Sequence, residues 1–254
     1  IRYKGKTTRQ NNININSIME KTTVFNLIIL DESGSMSPLT QETIEGCNET
    51  LNLIRSLEEK HGDTQRNLVS IYLFQSNPEV PSRYVYHNQP INEIANMNPD
   101  TYRPWGSTPL LDAVGNTLSE LKTVTATHED STGIVTIITD GMENSSTNFS
   151  WKQVADLISQ VKELGWTVNL IGANIDVEEM SKKIHIDNSL AFNASRKGTK
   201  NMWKKFNHDL ANHEESRIKA EKQCSSPNEK FNIRQRISGL FFQNNPDKDD
   251  EDLF

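Results

Sequence analysis

The strongest constraint on what this chain can fold into is a set of short stretches that are apolar without alternation. Val24 to Leu30 (VFNLIIL), Ile134 to Thr139 (IVTIIT) and Thr167 to Ile171 (TVNLI) are of this kind. Side chains of a strand point alternately to its two faces, so a strand that is apolar throughout has to be covered on both. A parallel sheet lying between two layers of helices does this. Leu68 to Phe74 has the same character, RYVYHN from Arg83 is a weaker edge candidate, and SLAFNA from Ser189 reads as the last strand.

Helical patterns fill the intervals. Thr40 to Lys60 carries Ile44, Cys47, Leu51, Ile54 and Leu57 on one face; Leu110 to Lys122 follows; Trp151 to Leu164 presents Val154, Leu157, Ile158 and Val161. Each keeps the 3.6-residue period of a helix with one buried side. Gly62, Gly133 and Gly165 stand where a chain leaves a helix and turns back to a sheet. The alternation predicts an α/β fold, a doubly wound, mostly parallel sheet with helices on both faces and right-handed crossovers.

The expected division is a domain over residues 21–196, a helical extension over 197–243, and disordered segments at 1–20 and 244–254. The helix from Thr199 is expected to dock by Met202, Trp203, Phe206 and Leu210 and then to leave the body, because NHEESRIKAEKQ is polar nearly all round. CSSPNEK reads as a linker, followed by an apolar patch of Phe231, Ile233, Ile237, Leu240, Phe241 and Phe242 and by the acidic stretch NPDKDDEDLF. That stretch reads first as a solvated acidic end and, more sharply, as a source of a carboxylate for a metal on a neighbouring molecule. Met19 is a candidate start, since the ordered pattern begins directly after MEKTT.

Composition excludes some functions. Of 254 residues, 34% are hydrophobic, and the net charge of −7 provides no broad basic field for nucleic acid. The mean hydropathy of −0.65 is low for a chain wholly inside a globule. Two cysteines build no disulfide framework, and Cys47 sits at helical spacing as a small buried hydrophobe. Residues 1–18 contain no apolar run of a secretory signal, and VFNLIIL falls short of the ~20 residues that span a bilayer. The expectation is a cytoplasmic protein with neither membrane nor nucleic acid as partner.

DESGSM follows the first strand directly, and it places Asp31, Ser33 and Ser35 at alternate positions where open α/β sheets put their ligand sites. Asp140 ends IVTIIT in the same way, and WGSTPLLDA puts Thr108 before a helix with Pro109 in its first turn. Carboxylate and hydroxyl oxygens are hard donors that suit Mg²⁺, or Mn²⁺ in its place, more than zinc. Two carboxylates balance one dication and the hydroxyls add no charge, so the ion keeps its attraction for one more anionic oxygen.

Asp31, Ser33 and Ser35, the Thr108 of GSTPL and the Asp140 of TDG together resemble the metal-ion-dependent adhesion site, or MIDAS, of von Willebrand factor type A domains. The wording is most similar to that of bacterial intracellular members, and the resemblance covers about residues 22–195. It implies that Ser33, Ser35 and Thr108 bind a divalent ion through their hydroxyls and that Asp31 and Asp140 act directly or through water. It also implies that an acidic residue of a protein partner completes the shell, in adhesion without turnover, with engagement linked to the last helix. Gly106-Ser107 stands where the family has a small-residue pair.

Blander and rival readings exist. Asp31, Ser33 and Ser35 can be turn and cap residues, Thr108 an N-cap and Asp140 a turn residue. An EF-hand fails because Met36 stands where its loop needs glycine. A metal-assisted hydrolase is the alternative of another class, although Asp31 occupies the place where a nucleophile elbow around Ser33 needs glycine. None of His61, His87, His128, His185, His208 and His213 lies in a catalytic motif, and no phosphate-binding loop is present.

Overall fold

The structure, a computed structural model, describes residues 21–242. The expectations for residues 1–20, for Met19 and for the stretch 244–254 lie outside the described residues. The strands are β1 (Thr22–Asp31), β2 (Gln65–Phe74), β3 (Arg83–Pro90), β4 (Ser131–Thr139), β5 (Thr167–Gly172) and β6 (Asn188–Ala191). The helices are α1 (Thr40–His61), α2 (Leu110–Thr125), α3 (Trp151–Glu163), α4 (Val177–Lys183), α5 (Arg196–Glu221) and α6 (Pro227–Ile237). One six-stranded sheet runs in the order β3-β2-β1-β4-β5-β6, parallel except for the antiparallel edge strand β3.

β1 explains why the central strands read as unbroken apolar runs. All ten of its residues are buried. Val24, Ile28 and Leu30 enter a core shared with α1 and α5, while Phe25, Leu27 and Ile29 enter the opposite core beneath α2, α3 and α4. Asn26 interrupts the first set, and its Nδ2 donates to Asn67 Oδ1 (3.2 Å), whose own amide groups are held by Glu58 Oε2. A buried amide with partners is tolerated where an unpaired one is not.

The structure corrects several local expectations. α4 lies between β5 and β6, where the sequence offers only a seven-residue amphipathic segment. Gly133 is not a helix exit but the third residue of β4, and a Cβ there would stand 2.8 Å from the Trp166 ring. Gly165 does follow α3 and has φ +78°, the left-handed conformation that favours glycine. Cys47 is buried as expected, and burial pushes its thiol up to about 12.

The largest correction concerns α5, which does not leave the body. Its first half docks through Met202, Trp203, Phe206 and Leu210, with Gly46 of α1 so close that a Cβ would collide with the Trp203 ring. Its second half remains docked by charge: His213, Glu214, Arg217, Ile218 and Glu221 are all buried. Arg217 donates to both Glu214 oxygens at 2.9 and 2.8 Å, lies 3.2 Å from Glu221, and also donates to Gln65 at the start of β2. Glu221 accepts from Arg234 of α6, which pairs in turn with Asp130 (2.7 Å) beside β4. A polar face reads as solvent-exposed by hydropathy alone, but opposite charges on α5 and α6 satisfy each other beneath the sheet. Among the described residues no helix is long and apolar enough to cross a membrane.

Candidate metal centre

The sheet order reverses between β1 and β4: the chain runs outward through β2 and β3 on one side, then through β5 and β6 on the other. Loops diverge at such a switch point and leave a crevice at the carboxyl ends of the strands. Asp31 is the last residue of β1, and Asp140 follows the last residue of β4. The two carboxylates predicted from separate segments therefore reach one rim.

All five predicted oxygen donors meet there. Ser33 Oγ and Ser35 Oγ are 3.0 Å apart, and Ser35 Oγ donates to Asp140 Oδ1 at 2.6 Å. A Cβ on Gly141 would lie 3.3 Å from Thr108 Oγ1 and 3.7 Å from Ser35 Oγ, so the two hydroxyls face one hollow that a side chain at Gly141 would crowd. Asp31 is fully buried, accepting from Ser33 N–H at Oδ1 (2.7 Å) and from Thr139 Oγ1 at Oδ2 (2.6 Å). Burial raises its carboxyl to about 6, against the lowering by the Thr139 and Ser33 bonds, and the Asp140 charge adds to the rise. Asp140 is raised as well, again mainly by burial.

The bland reading of Thr108 fails on local grounds. α2 begins at Leu110 with Pro109 at the N-cap and no side-chain cap. Its free N–H groups are taken from across the loop instead, Leu111 N–H by Glu143 Oε2 (2.9 Å) and Asp112 N–H by Ser146 Oγ (3.0 Å). Thr108 is thereby left out of capping, and its backbone is held by Asn144 at both N–H (2.8 Å) and C=O (3.2 Å). Asp31 keeps part of its bland role, since its bond to Ser33 N–H is a local Asx turn. Gly106 has φ +73° and fits no other residue readily, and its C=O accepts from Gly34 N–H at 3.0 Å, joining the Thr108 loop to the Asp31 loop.

Residues outside the predicted set support the site. Glu32, fully buried between two of the donors, accepts from Arg83 at 2.7 and 3.1 Å, from Gln75 Nε2 (2.8 Å) and from Arg103 N–H (2.6 Å). Tyr102 donates its hydroxyl to Asp31 C=O at 2.7 Å. A glutamate inside the DESGS stretch was a visible signal for the first; nothing in the local sequence marks Tyr102 or Thr139.

The donors fit a hard divalent ion. Adjacent ligands of an octahedral Mg²⁺ with bonds of 2.0–2.1 Å stand about 3 Å apart, close to the spacing of the Ser33, Ser35 and Asp140 oxygens. Among the described residues no three His, Cys, Asp or Glu side chains stand together as a metal cluster, in keeping with a set of two carboxylates and three hydroxyls. The histidines are engaged elsewhere: His61 with Glu215, His87 with Glu120, His128 with Val124 C=O, His185 with Ser159, His208 with Asn212 and His213 with Thr167.

The sequence profile of the von Willebrand factor type A domain matches residues 27–217, from inside β1 to inside α5. The chain belongs to the von Willebrand factor type A domain family. Solved structures show the same fold at low identity. The pilus adhesin SpaC from Lactobacillus rhamnosus GG, in its open conformation, is 14% identical with a TM-score of 0.54, over 75% of this chain and 30% of that one. Proximal thread matrix protein 1 from the mussel byssus is 15% identical with a TM-score of 0.52, over 72% and 47%. Another structure of the mussel protein, with zinc occupying its MIDAS motif, has a TM-score of 0.51 at 15% identity. This von Willebrand A domain chain thus spans less than half the length of those proteins. A comparison with curated proteins finds no match for it.

Two buried groups give the domain opposing responses to acid. Burial lowers His213 from 6.5 to about 4, with Glu214 raising it and Arg217 lowering it further, while Thr167 and Phe241 cover the ring. The unfolded chain takes up that proton first, so stability is lost as pH falls from 6.5 toward 4, by about 2 kcal/mol between pH 7 and 5. Asp31, raised from 3.8 to about 6, acts in the other sense and restores about 1 kcal/mol over the same interval. In chelator, urea midpoints of the natural chain should fall slightly from pH 7 to 5. His213→Gln should turn that fall into a gain.

Proposed function

We propose that this von Willebrand A domain binds Mg²⁺ or Mn²⁺ at Asp31, Ser33, Ser35, Thr108 and Asp140 and uses the ion to hold an acidic residue of a protein partner. The observation that carries this is the meeting of only two carboxylates with three neutral hydroxyls at the switch point of the sheet. When bound, the ion would supply a positive centre that attracts one more anionic oxygen. Ser33, Ser35 and Thr108 offer lone pairs without neutralising that centre. Asp31 and Asp140 balance its charge, and Thr139 and Glu32 fix the loops so that the oxygens converge before any partner arrives.

The zinc-occupied MIDAS motif of the mussel protein and the adhesive role named for SpaC support this reading by analogy of fold. An adaptor without turnover is proposed because, among the described residues, the Ser33 hydroxyl meets Ser35 and the histidines are engaged elsewhere, so that none is paired with Ser33 to take its proton. The buried free thiol of Cys47 suits a reducing compartment such as the cytoplasm.

Calorimetric titration with Mn²⁺ tests the site. The natural chain should give saturable heat, and Asp140→Ala and Thr108→Ala should each reduce affinity at least about 10-fold, the scale on which mutations around a metal site act. Equal heats from all three proteins would remove the site. Retention of a bound partner in excess chelator would remove the metal from its recognition.

A further inference from the structure

Among the described residues the two most exposed large hydrophobic side chains are Met142 at 67% and Trp105 at 65%. Both border the metal centre: Trp105 precedes Thr108 by three residues, and Met142 follows Asp140 by two. Neither owes its exposure to a loose loop. Trp105 N–H donates to Glu32 C=O (2.8 Å), and its neighbours are fixed by Arg103 N–H to Glu32 and Ser107 N–H to Ser76 Oγ (2.7 Å). Met142 lies between Gly141, against which Thr108 and Ser35 pack, and Glu143, whose carboxylate holds Leu111, Ser145 and Ser146 N–H groups. A tryptophan and a methionine held out on rigid loops around a charged centre have the composition of an interface hot spot. They call for an acidic residue directly beside large apolar ones.

The chain itself contains such a segment. Residues 249–254 read Asp-Asp-Glu-Asp-Leu-Phe, four acids and then two apolar residues. We propose that, within one molecule, this segment seats on the metal centre of its own domain, a carboxylate completing the ion's shell while Leu253 and Phe254 cover Trp105 and Met142. The proposal rests on the metal-binding reading above, and charge makes it depend on the ion: without a cation the rim presents the Asp31 and Asp140 carboxylates, which repel an acidic segment.

Reach permits it. Phe241 N–H donates to Asn188 Oδ1, Asn188 pairs with Asn169, and three residues further along β5 Gly172 pairs with Thr139 beside the site. Sheet spacings make that path about 15 Å. Asp252 is the tenth residue after Phe242, enough for roughly 33 Å of extended chain. A tether this short gives the segment an effective concentration in the millimolar range, so it occupies its own domain ahead of a second copy in dilute solution.

The probe is a synthetic peptide of residues 248–254 with a fluorophore at its amino end, titrated in Mn²⁺ against two full-length proteins. One is the natural chain. The other carries Asp249→Asn, Asp250→Asn, Glu251→Gln, Asp252→Asn, Leu253→Ser and Phe254→Ser. The altered chain should bind the peptide about 10-fold or more tightly than the natural one, whose own segment competes, and chelator should abolish both. Trp105→Ala in the altered chain should weaken the peptide at least about 10-fold and leave the heat of Mn²⁺ binding unchanged. With that heat intact, equal peptide affinities for the two chains, or no loss in Trp105→Ala, would overturn the proposal while the metal site stood. A Mn²⁺-dependent dimer of the natural chain that the altered chain does not form would overturn the intramolecular contact in favour of exchange between copies. Absence of Mn²⁺ heat in every protein would remove the metal reading and this inference with it.

Discussion

Arg217→Met is expected to lower the unfolding free energy by about 3–5 kcal/mol, the range seen when one partner of a buried ion pair is removed. Glu214 is 1% exposed and has Arg217 as its cationic partner through two hydrogen bonds. Burial alone would raise the Glu214 carboxyl, but the guanidinium overrides it and holds the group below its ordinary value. Without that cation the carboxylate must either remain charged in an apolar setting or take up a proton, and either costs stability. The loss should extend beyond one helix turn, since Arg217 also reaches Gln65 of β2 and Glu221, and Glu221 reaches Arg234 of α6. Glu214→Met together with Arg217→Met removes both charges and leaves the Glu221–Arg234 pair in place; it should recover most of the loss. Urea midpoints of the two proteins provide the check, and a cost below about 1 kcal/mol for the single substitution would show that the network does not hold α5 to the sheet. Because Glu214 and Asp130 are both lowered, their contribution is present at neutral pH and is lost only as acid carries them below the ordinary carboxylate range.

The same network marks the boundary of what the sequence discloses. β1, β4 and β5 were legible because burial on both faces leaves an unbroken apolar signature, and α1 and α3 because one buried stripe leaves a 3.6-residue period. The second half of α5 was not, because its buried face is made of Glu214, Arg217 and Glu221, and residue type alone cannot distinguish a charge that meets water from one that meets Arg234. The meeting of Asp31, Ser33, Ser35, Thr108 and Asp140 at one rim was legible for a related reason: each lies at a strand end or a helix start that the pattern already placed. Tyr102 and Thr139 were hidden, since their function lies in hydrogen bonds to Asp31 from distant parts of the chain. Exposure of Trp105 and Met142 is likewise a property of the folded surface, set by Glu32 and Glu143 holding the loops beneath them.

Asp31→Asn should separate the structural role of the aspartate from its proposed role toward the ion, and the two effects have opposite signs. In chelator at pH 7 the carboxylate is charged although its folded value is about 6 rather than 3.8, so burial of that charge costs about 3 kcal/mol relative to the unfolded chain. Asparagine removes the charge and keeps an acceptor for Ser33 N–H, while Thr139 Oγ1 turns to donate to Gly141 C=O, already 3.0 Å away. The variant should therefore unfold at a higher urea midpoint than the natural chain, by up to about 3 kcal/mol, and the gain should fade as pH falls through 6 toward 3.8, where the natural side chain takes up its own proton. In saturating Mn²⁺ the order should reverse. Binding to the folded state alone adds about 4.1 kcal/mol when the ion is at about 1,000 times its dissociation constant, more than the roughly 3 kcal/mol to be overcome, and the natural chain gains this while the variant, with one of two balancing carboxylates removed, gains little. A variant less stable than the natural chain in chelator would show that the Asp31 charge is already compensated within the protein, and a variant that Mn²⁺ stabilises equally would remove Asp31 from the site. A structural aspartate alone would give the first shift without the reversal, so the crossing of the two stability orders is the signature of a buried carboxylate held in readiness for a cation.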